Sequence, residues 1–286
     1  MDKDLRQQAI ALYDRFTHEG MERRTFMSRM VALAGSVAAA EALIGSIAAS
    51  PAVAAIVPAN DPRLTTRTQD LVGGYKAYVA EPRTRSLKAT VMVIHENRGL
   101  NDHTRDVARR VALAGYRAVA VDFLSPVGGT PANEDAARDA IGELDLGKSV
   151  NDAVAMLDEL AKSSRGGKVG AVGFCWGGGF VNRLAVAAGD KLDAGVVYYG
   201  PAPDPSEAAK VQAPLAIHLA GLDERVNRTA FPWITALRQA GKTVRFYLYE
   251  GVNHAFNNDT SAERYNKAAA DLAWRRTLAF FRRYLR

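Results

Sequence analysis

Gly170-Ala-Val-Gly173-Phe-Cys175-Trp-Gly177-Gly-Gly179 is the stretch on which the reading of this chain turns. The apolar run Lys168-Val-Gly-Ala-Val172 leading into it has the composition of a buried strand. Phe180-Val-Asn-Arg-Leu-Ala-Val-Ala-Ala188 after it reads as a helix. Strand, Gly-x-Cys-x-Gly turn and helix make a nucleophile elbow, with Cys175 where Ser is more usual. Glycines at 173 and 177 belong to that geometry, because a turn this tight leaves no room for a Cβ on either flank.

Outward from the elbow, strand-like and helix-like segments alternate from about residue 60, which predicts an α/β fold with a mostly parallel central sheet and helices on both faces. Segments 89–94, 116–121, 193–199 and 214–220 are near-continuous apolar runs, the mark of strands buried on both faces. Segments 75–80 and 243–249 alternate. Helices are expected over 101–114, 134–144, 147–162, 229–240 and 262–284, and no repeat or second-domain linker interrupts them. In such sheets ligands gather beyond the carboxyl ends of the strands. The strand at 89–94 ends there in His95-Glu96-Asn97-Arg98-Gly99-Leu100.

Composition sets limits. The 286 residues are 48% apolar and 24% charged, with a net charge of +6. These are ordinary values for a globular protein, and they suit one large α/β domain. The basic residues are scattered apart from Arg23-Arg24 and Arg282-Arg283-Tyr-Leu-Arg286, so no nucleic-acid partner is inferred. A single cysteine excludes an internal disulfide and any multi-cysteine metal site. No metal or cofactor is expected.

Residues 1–58 read as a separate segment. Arg23-Arg24 precedes a weakly apolar stretch from Met30, broken by Glu41, and small residues follow at Ala52-Val-Ala54. That is the pattern of a twin-arginine signal peptide and short linker, predicting recognition by the export machinery, cleavage near Ala54 and a periplasmic enzyme. An uncleaved membrane tether is the alternative, although the Ala-, Gly- and Ser-rich composition makes a poor span. Residues 1–22 form a short amphipathic helix with no chemistry assigned, and residues 59–286 form the functional domain.

A nucleophilic thiol needs a base, and the base needs a group to fix its tautomer. The hydrolase order is nucleophile, acid, histidine. Asp223 and His254 fit it, each just past a predicted strand on the same sheet edge as Cys175. His218 lies within a strand and reads as core. His95 and His103 precede the nucleophile, and His18 falls in the signal segment.

Taken together, Gly173-Phe-Cys175-Trp-Gly-Gly178, Gly221-Leu-Asp223, Gly251-Val-Asn-His254-Ala-Phe256 and Ile94-His-Glu96-Asn-Arg-Gly-Leu100 resemble the dienelactone hydrolase family of α/β-hydrolases, over the chain from about residue 64 onward. The resemblance implies Cys175 as nucleophile, His254 as base and Asp223 as its orienting acid. It also implies that Glu96 holds the resting thiol and releases it when substrate binds, and that backbone N–H groups of Trp176 and Asn97 form the oxyanion hole. Family members that open dienelactones grip a substrate carboxylate with arginines, one of them a turn after the histidine. Here that position reads Asn257-Asn-Asp259, leaving Arg98 or Arg138 as substitutes. The expected activity is hydrolysis of a small ester or lactone, as in a carboxymethylenebutenolidase. The alternatives are a carboxylesterase or thioesterase of another substrate class, or a non-catalytic binder on the same fold. A dinucleotide site is disfavoured, since the glycines lack Gly-x-Gly-x-x-Gly spacing.

Overall fold

In the computed structural model, which describes residues 3–48, 55–83, 89–164 and 167–286, eight strands form one sheet in the order β1-β2-β4-β3-β5-β6-β7-β8. Their ranges are β1 Leu64–Leu71, β2 Tyr75–Pro82, β3 Thr90–Ile94, β4 Arg117–Asp122, β5 Val169–Phe174, β6 Ala194–Tyr198, β7 Leu215–Ala220 and β8 Val244–Tyr249. From β4 to β8 every neighbour is parallel. Only β1 and β2 join antiparallel. The predicted α/β architecture is the one observed. Strand β1 was missed because Leu64-Thr-Thr-Arg-Thr-Gln-Asp-Leu71 buries little but its two ends, as an edge strand facing water does.

The period of two along the parallel strands divides the core. Met92 and Ile94 point into one apolar layer, Val91 and Val93 into the other. The first layer is closed by α6 (Leu146–Ser163), α7 (Trp176–Ala187) and α8 (Glu224–Gln239), with Leu157, Phe180, Leu184 and Trp233 fully buried. The second is closed by α4 (Asp102–Leu113) and α9 (Lys267–Tyr284), through Val107, Val111 and Phe281. A helix α5 (Glu134–Glu143) follows β4 at the rim. Three helix starts differ from the expected ones, α7 among them, which opens at Trp176 rather than Phe180. Helix α8 begins five residues before 229, because the Asp223 side chain accepts the Val226 N–H and caps it. Helix α9 begins at Lys267, capped by Asn266.

Residues ahead of the sheet form three further helices, α1 (Lys3–His18), α2 (Arg23–Ala34) and α3 (Val37–Ile47). The amphipathic helix expected over 1–22 is α1. Ile10, Phe16, Phe26, Met30, Leu43 and Ile47 give these helices an apolar cluster of their own. Among the described residues no single helix is long and apolar enough to cross a membrane. Helices α2 and α3 pass that test only together, bent by 106°. The cleavage motif at Ala52-Val-Ala54 lies outside the described residues.

The elbow is where sheet and helices meet most closely. A Cβ on Gly173 would fall on the Gly177 carbonyl, and one on Gly177 on the carbonyls of Ile94 and His95. Those carbonyls are backbone of a central strand and cannot swing aside. Gly177→Ala is therefore expected to cost about 1–3 kcal/mol, read as a lowered thermal midpoint. Gly142→Ala on α5, where an added Cβ meets nothing within 4 Å, should leave the midpoint level or slightly raised. Equal midpoints for the two variants would count against the close approach at Gly177.

Candidate active site

Cys175 follows β5 and precedes α7 with φ 54° and ψ −114°, outside the relaxed regions for a residue with a Cβ. Its N–H donates to the Tyr198 carbonyl (3.0 Å), and its carbonyl accepts the Gly179 N–H (3.0 Å). The strained turn is thus tied to β6 on one side and to α7 on the other. Among the described residues two other non-glycine residues have positive φ, Tyr199 (37°) and Ala255 (62°). All three adjoin the same site, which is where such strain is usually stored.

Asp223 follows β7 and His254 follows β8, neighbouring strands in register through Ala220 and Tyr249. His254 Nδ1 lies 2.5 Å from Asp223 Oδ2, while Asp223 Oδ1 accepts the Val226 N–H at 3.1 Å. One carboxylate oxygen caps a helix and the other orients an imidazole, so Asp223 cannot turn without losing a cap. Burial by itself lowers the pKa of His254. The negative charges of Asp223 and of a Cys175 thiolate, with the hydrogen bond to Asp223, outweigh it and push the imidazole up to about 10. For Asp223 burial acts upward, and the charge and hydrogen bond of His254, with the charge of Arg225 and the Val226 N–H, together more than reverse it, leaving the carboxyl below its usual range. Nε2 of His254 is buried without a hydrogen-bond partner among the described residues.

Glu96 sits just beyond β3 and accepts hydrogen bonds from Tyr199 Oη (3.3 Å) and Asn258 Nδ2 (2.8 Å). Among the described residues these are the groups that bond the Glu96 carboxylate, and no hydrogen bond joins it to Cys175. Arg98 is nearly buried against Asp135 (3.2 Å) and Tyr13 Oη (3.3 Å). Arg138 pairs with Asp135 and Asp139. Both guanidiniums are engaged with carboxylates rather than presented freely to a ligand. Trp176 opens α7, so its N–H belongs to the first helical turn, which lacks intrahelical acceptors. Asn97 donates from Nδ2 to the Thr17 carbonyl at 3.2 Å.

That last contact introduces what sequence reasoning missed. His18, set aside as part of the signal segment, stands at the thiol, its Nε2 3.9 Å from Cys175 Sγ and its ring centroid 4.9 Å from that of His254. Burial, then the positive charges of His254, Arg225 and Arg264, hold it well below the ordinary histidine range, so it is neutral at pH 7. Four residues back on α1, Asp14 meets the buried Arg264 at 3.4 Å. The only cue in the sequence was spacing, since 14 and 18 share one face of a helix. His218 and His95 are core residues. His218 bonds Tyr249 Oη, and His95 accepts the Phe123 N–H and stacks on Trp176.

Space around the thiol is unequal. Toward Glu96, His254 and Arg264 there is a chamber of about 20 Å³. On the other side a cleft of about 330 Å³ runs along Trp176, Leu144, Leu146 and Pro201. A larger cavity of about 450 Å³ lies between the N-terminal helices and α5 and does not reach Cys175. Sγ of Cys175 and one ring nitrogen each of His18 and His254 lie within 4.8 Å of one another. A thiolate and two imidazoles are donors of the kind zinc accepts, a cluster the sequence did not suggest. As a set without metal, they place a thiol beside two imidazoles, one of them fixed by a carboxylate.

The dienelactone hydrolase family pattern matches residues 75–285. A protein of Saccharolobus solfataricus assigned as a carboxymethylenebutenolidase is 31% identical over 251 residues, spanning 73% of this chain and 93% of its own. A Bradyrhizobium protein assigned as a 2-oxo-3-(5-oxofuran-2-ylidene)propanoate lactonase is 28% identical, spanning 73% and 89%. Among solved structures, one from Klebsiella pneumoniae assigned as a dienelactone hydrolase superposes with a TM-score of 0.69 at 25% identity, over 77% of this chain and 99% of that one.

The raised pKa of His254 has a signed consequence for stability. A folded value above the unfolded value of about 6.5 stabilises the fold fully below that pH. The contribution drains away as pH rises toward about 10. His254→Gln is expected to flatten the decline of the thermal midpoint between roughly pH 7 and pH 10. Parallel declines in the variant and the parent would show that His254 does not hold its proton in this way.

Proposed function

Because the chain belongs to the dienelactone hydrolase family, we propose that it hydrolyses a small carboxylic ester or lactone through a thioester formed on Cys175. The observation that carries this reading is the buried His254, bound to Asp223 through Nδ1 and left with an unpartnered Nε2 in the cluster that holds the thiol. With Nδ1 committed to the carboxylate, Nε2 is the nitrogen free to exchange a proton with sulfur or substrate. The thiolate is the nucleophilic form of cysteine, and in the proposed reaction the imidazolium of His254 is its counter-charge.

In the proposed reaction the thiolate attacks the ester carbonyl carbon, forming a C–S bond and moving the carbonyl π electrons onto oxygen. The backbone N–H groups of Trp176 and Asn97 would receive that oxyanion. Collapse breaks the C–O bond, and the leaving alkoxide takes the proton of His254. Water then gives a proton to His254 and attacks the thioester. Breaking the C–S bond returns the thiolate beside the imidazolium and releases the acid. Asp223 keeps the ring oriented throughout. In a lactone both products remain one molecule.

The approximately 330 Å³ cleft, lined by Trp176, Leu144, Leu146 and Pro201, is the route by which substrate reaches sulfur. Its size is near the lower end of small-molecule sites, in keeping with a compact ester or lactone. Cys175→Ala is expected to lower kcat/KM on p-nitrophenyl acetate by at least about a thousandfold. Wild-type rates in that variant would rule the thiol out as nucleophile. A full chain inert across a panel of esters and lactones would leave binding rather than turnover as its role.

A further inference from the structure

The family pattern begins at residue 75, yet α1, which precedes it, lines one side of the site through Tyr13, Thr17 and His18, with α2 and α3 packed against it. They are fastened at several points. Asn97 Nδ2 donates to the Thr17 carbonyl at the end of α1, and Arg98 donates to Tyr13 Oη. Ser261 Oγ and Arg264 Nε both donate to the Ile47 carbonyl, at 2.6 and 3.2 Å, and the Glu263 N–H donates to Ser46. Arg6 pairs with Glu263, and Arg23 pairs with Asp135 at 2.7 Å. The C-terminal end of α1, the negative end of its dipole, thus faces the Cys175–His254 pair.

We propose that α1 is a fixed wall of the active site and that its Asp14 is a specificity-determining residue, which occupies Arg264 and so withdraws that guanidinium from a substrate carboxylate. The inference rests on the ester-hydrolase reading for what the substrates are, and on geometry for the wall itself. Arg264 is buried and lines the same small chamber as Cys175, His254 and His18. A guanidinium there would draw a substrate carboxylate toward the thiol. The carboxylate it meets belongs to the chain. The chamber, at about 20 Å³, has room for no more than a water-sized group. His18 stands where chamber and cleft join, lining both. A substrate therefore meets sulfur from the cleft, whose own lining includes Arg138 and Arg225, with no unmatched charge from Arg264 to reward an anionic group.

Cys175 is the single cysteine, so alkylation reads this site alone. Iodoacetamide and iodoacetate are close in size and differ in charge. In the full-length chain, Asp14→Asn is expected to raise the rate ratio of iodoacetate to iodoacetamide by about tenfold at low salt. Asp14→Glu should keep the parent ratio, and adding Arg264→Gln to Asp14→Asn should cancel the gain. Asp14→Ser is the second variant should the amide misfold, with the same rise expected. An unchanged ratio in the folded neutral variants, or a gain that survives loss of Arg264, overturns the proposal. Alkylation needs no turnover. A rise in a chain that hydrolyses no ester would keep the wall and refute the hydrolase reading. With turnover, the kcat/KM preference for p-nitrophenyl acetate over p-nitrophenyl hemisuccinate should narrow in Asp14→Asn by a similar factor.

Discussion

The close approach of Gly177 to the ends of β3 is the constraint from which the rest of the site follows. With no Cβ at 177, the first turn of α7 sits on the Ile94 and His95 carbonyls. The strand end carrying Glu96 and the turn carrying Cys175 are thereby brought to one place. The turn itself is strained at Cys175, and such a conformation persists only where its surroundings over-determine it. Hydrogen bonds to Tyr198 and Gly179 do so here. The parallel register then carries β7 and β8 alongside, setting Asp223 and His254 on the same edge.

Electrostatics explains the pairing of groups around that edge. Buried charge is costly unless matched, and the matches here are specific. Asp223 answers His254, Asp14 answers Arg264, and Asp135 answers Arg98. Glu96 is satisfied by the hydroxyl of Tyr199 and the amide of Asn258. The two imidazoles beside the thiol are driven apart by their neighbours, since the one with a carboxylate partner is raised and the one without is lowered. In the proposed reaction each would serve a different task, His254 carrying a proton and His18 remaining a neutral wall.

Local pattern was a reliable guide where one residue's environment was implied by its near neighbours. The five inner strands announced themselves because burial on both faces demands continuous apolar runs, and the elbow because only glycine fits its flanks. Asp223 and His254 were legible from their order and their positions after strands. Strand β1 was not, because an edge strand facing water carries no apolar signature. The start of α8 was misplaced because Asp223 was read only as the acid after a strand, whereas its side chain also caps the helix.

What the sequence determined by itself was the α/β sheet, the elbow with Cys175, and the acid and histidine in hydrolase order. Each is written in short-range periodicity and in residues fixed by local backbone sterics. What only the tertiary structure decided was which distant charges meet. Asp14 and Arg264 are 250 residues apart, and Arg23, half of a twin-arginine pair in the sequence, is bound to Asp135. His18 looked like part of a leader and stands against the thiol. No local pattern encodes such pairs. They arise when the buried face of a helix docks on a sheet edge and each desolvated charge must find its opposite.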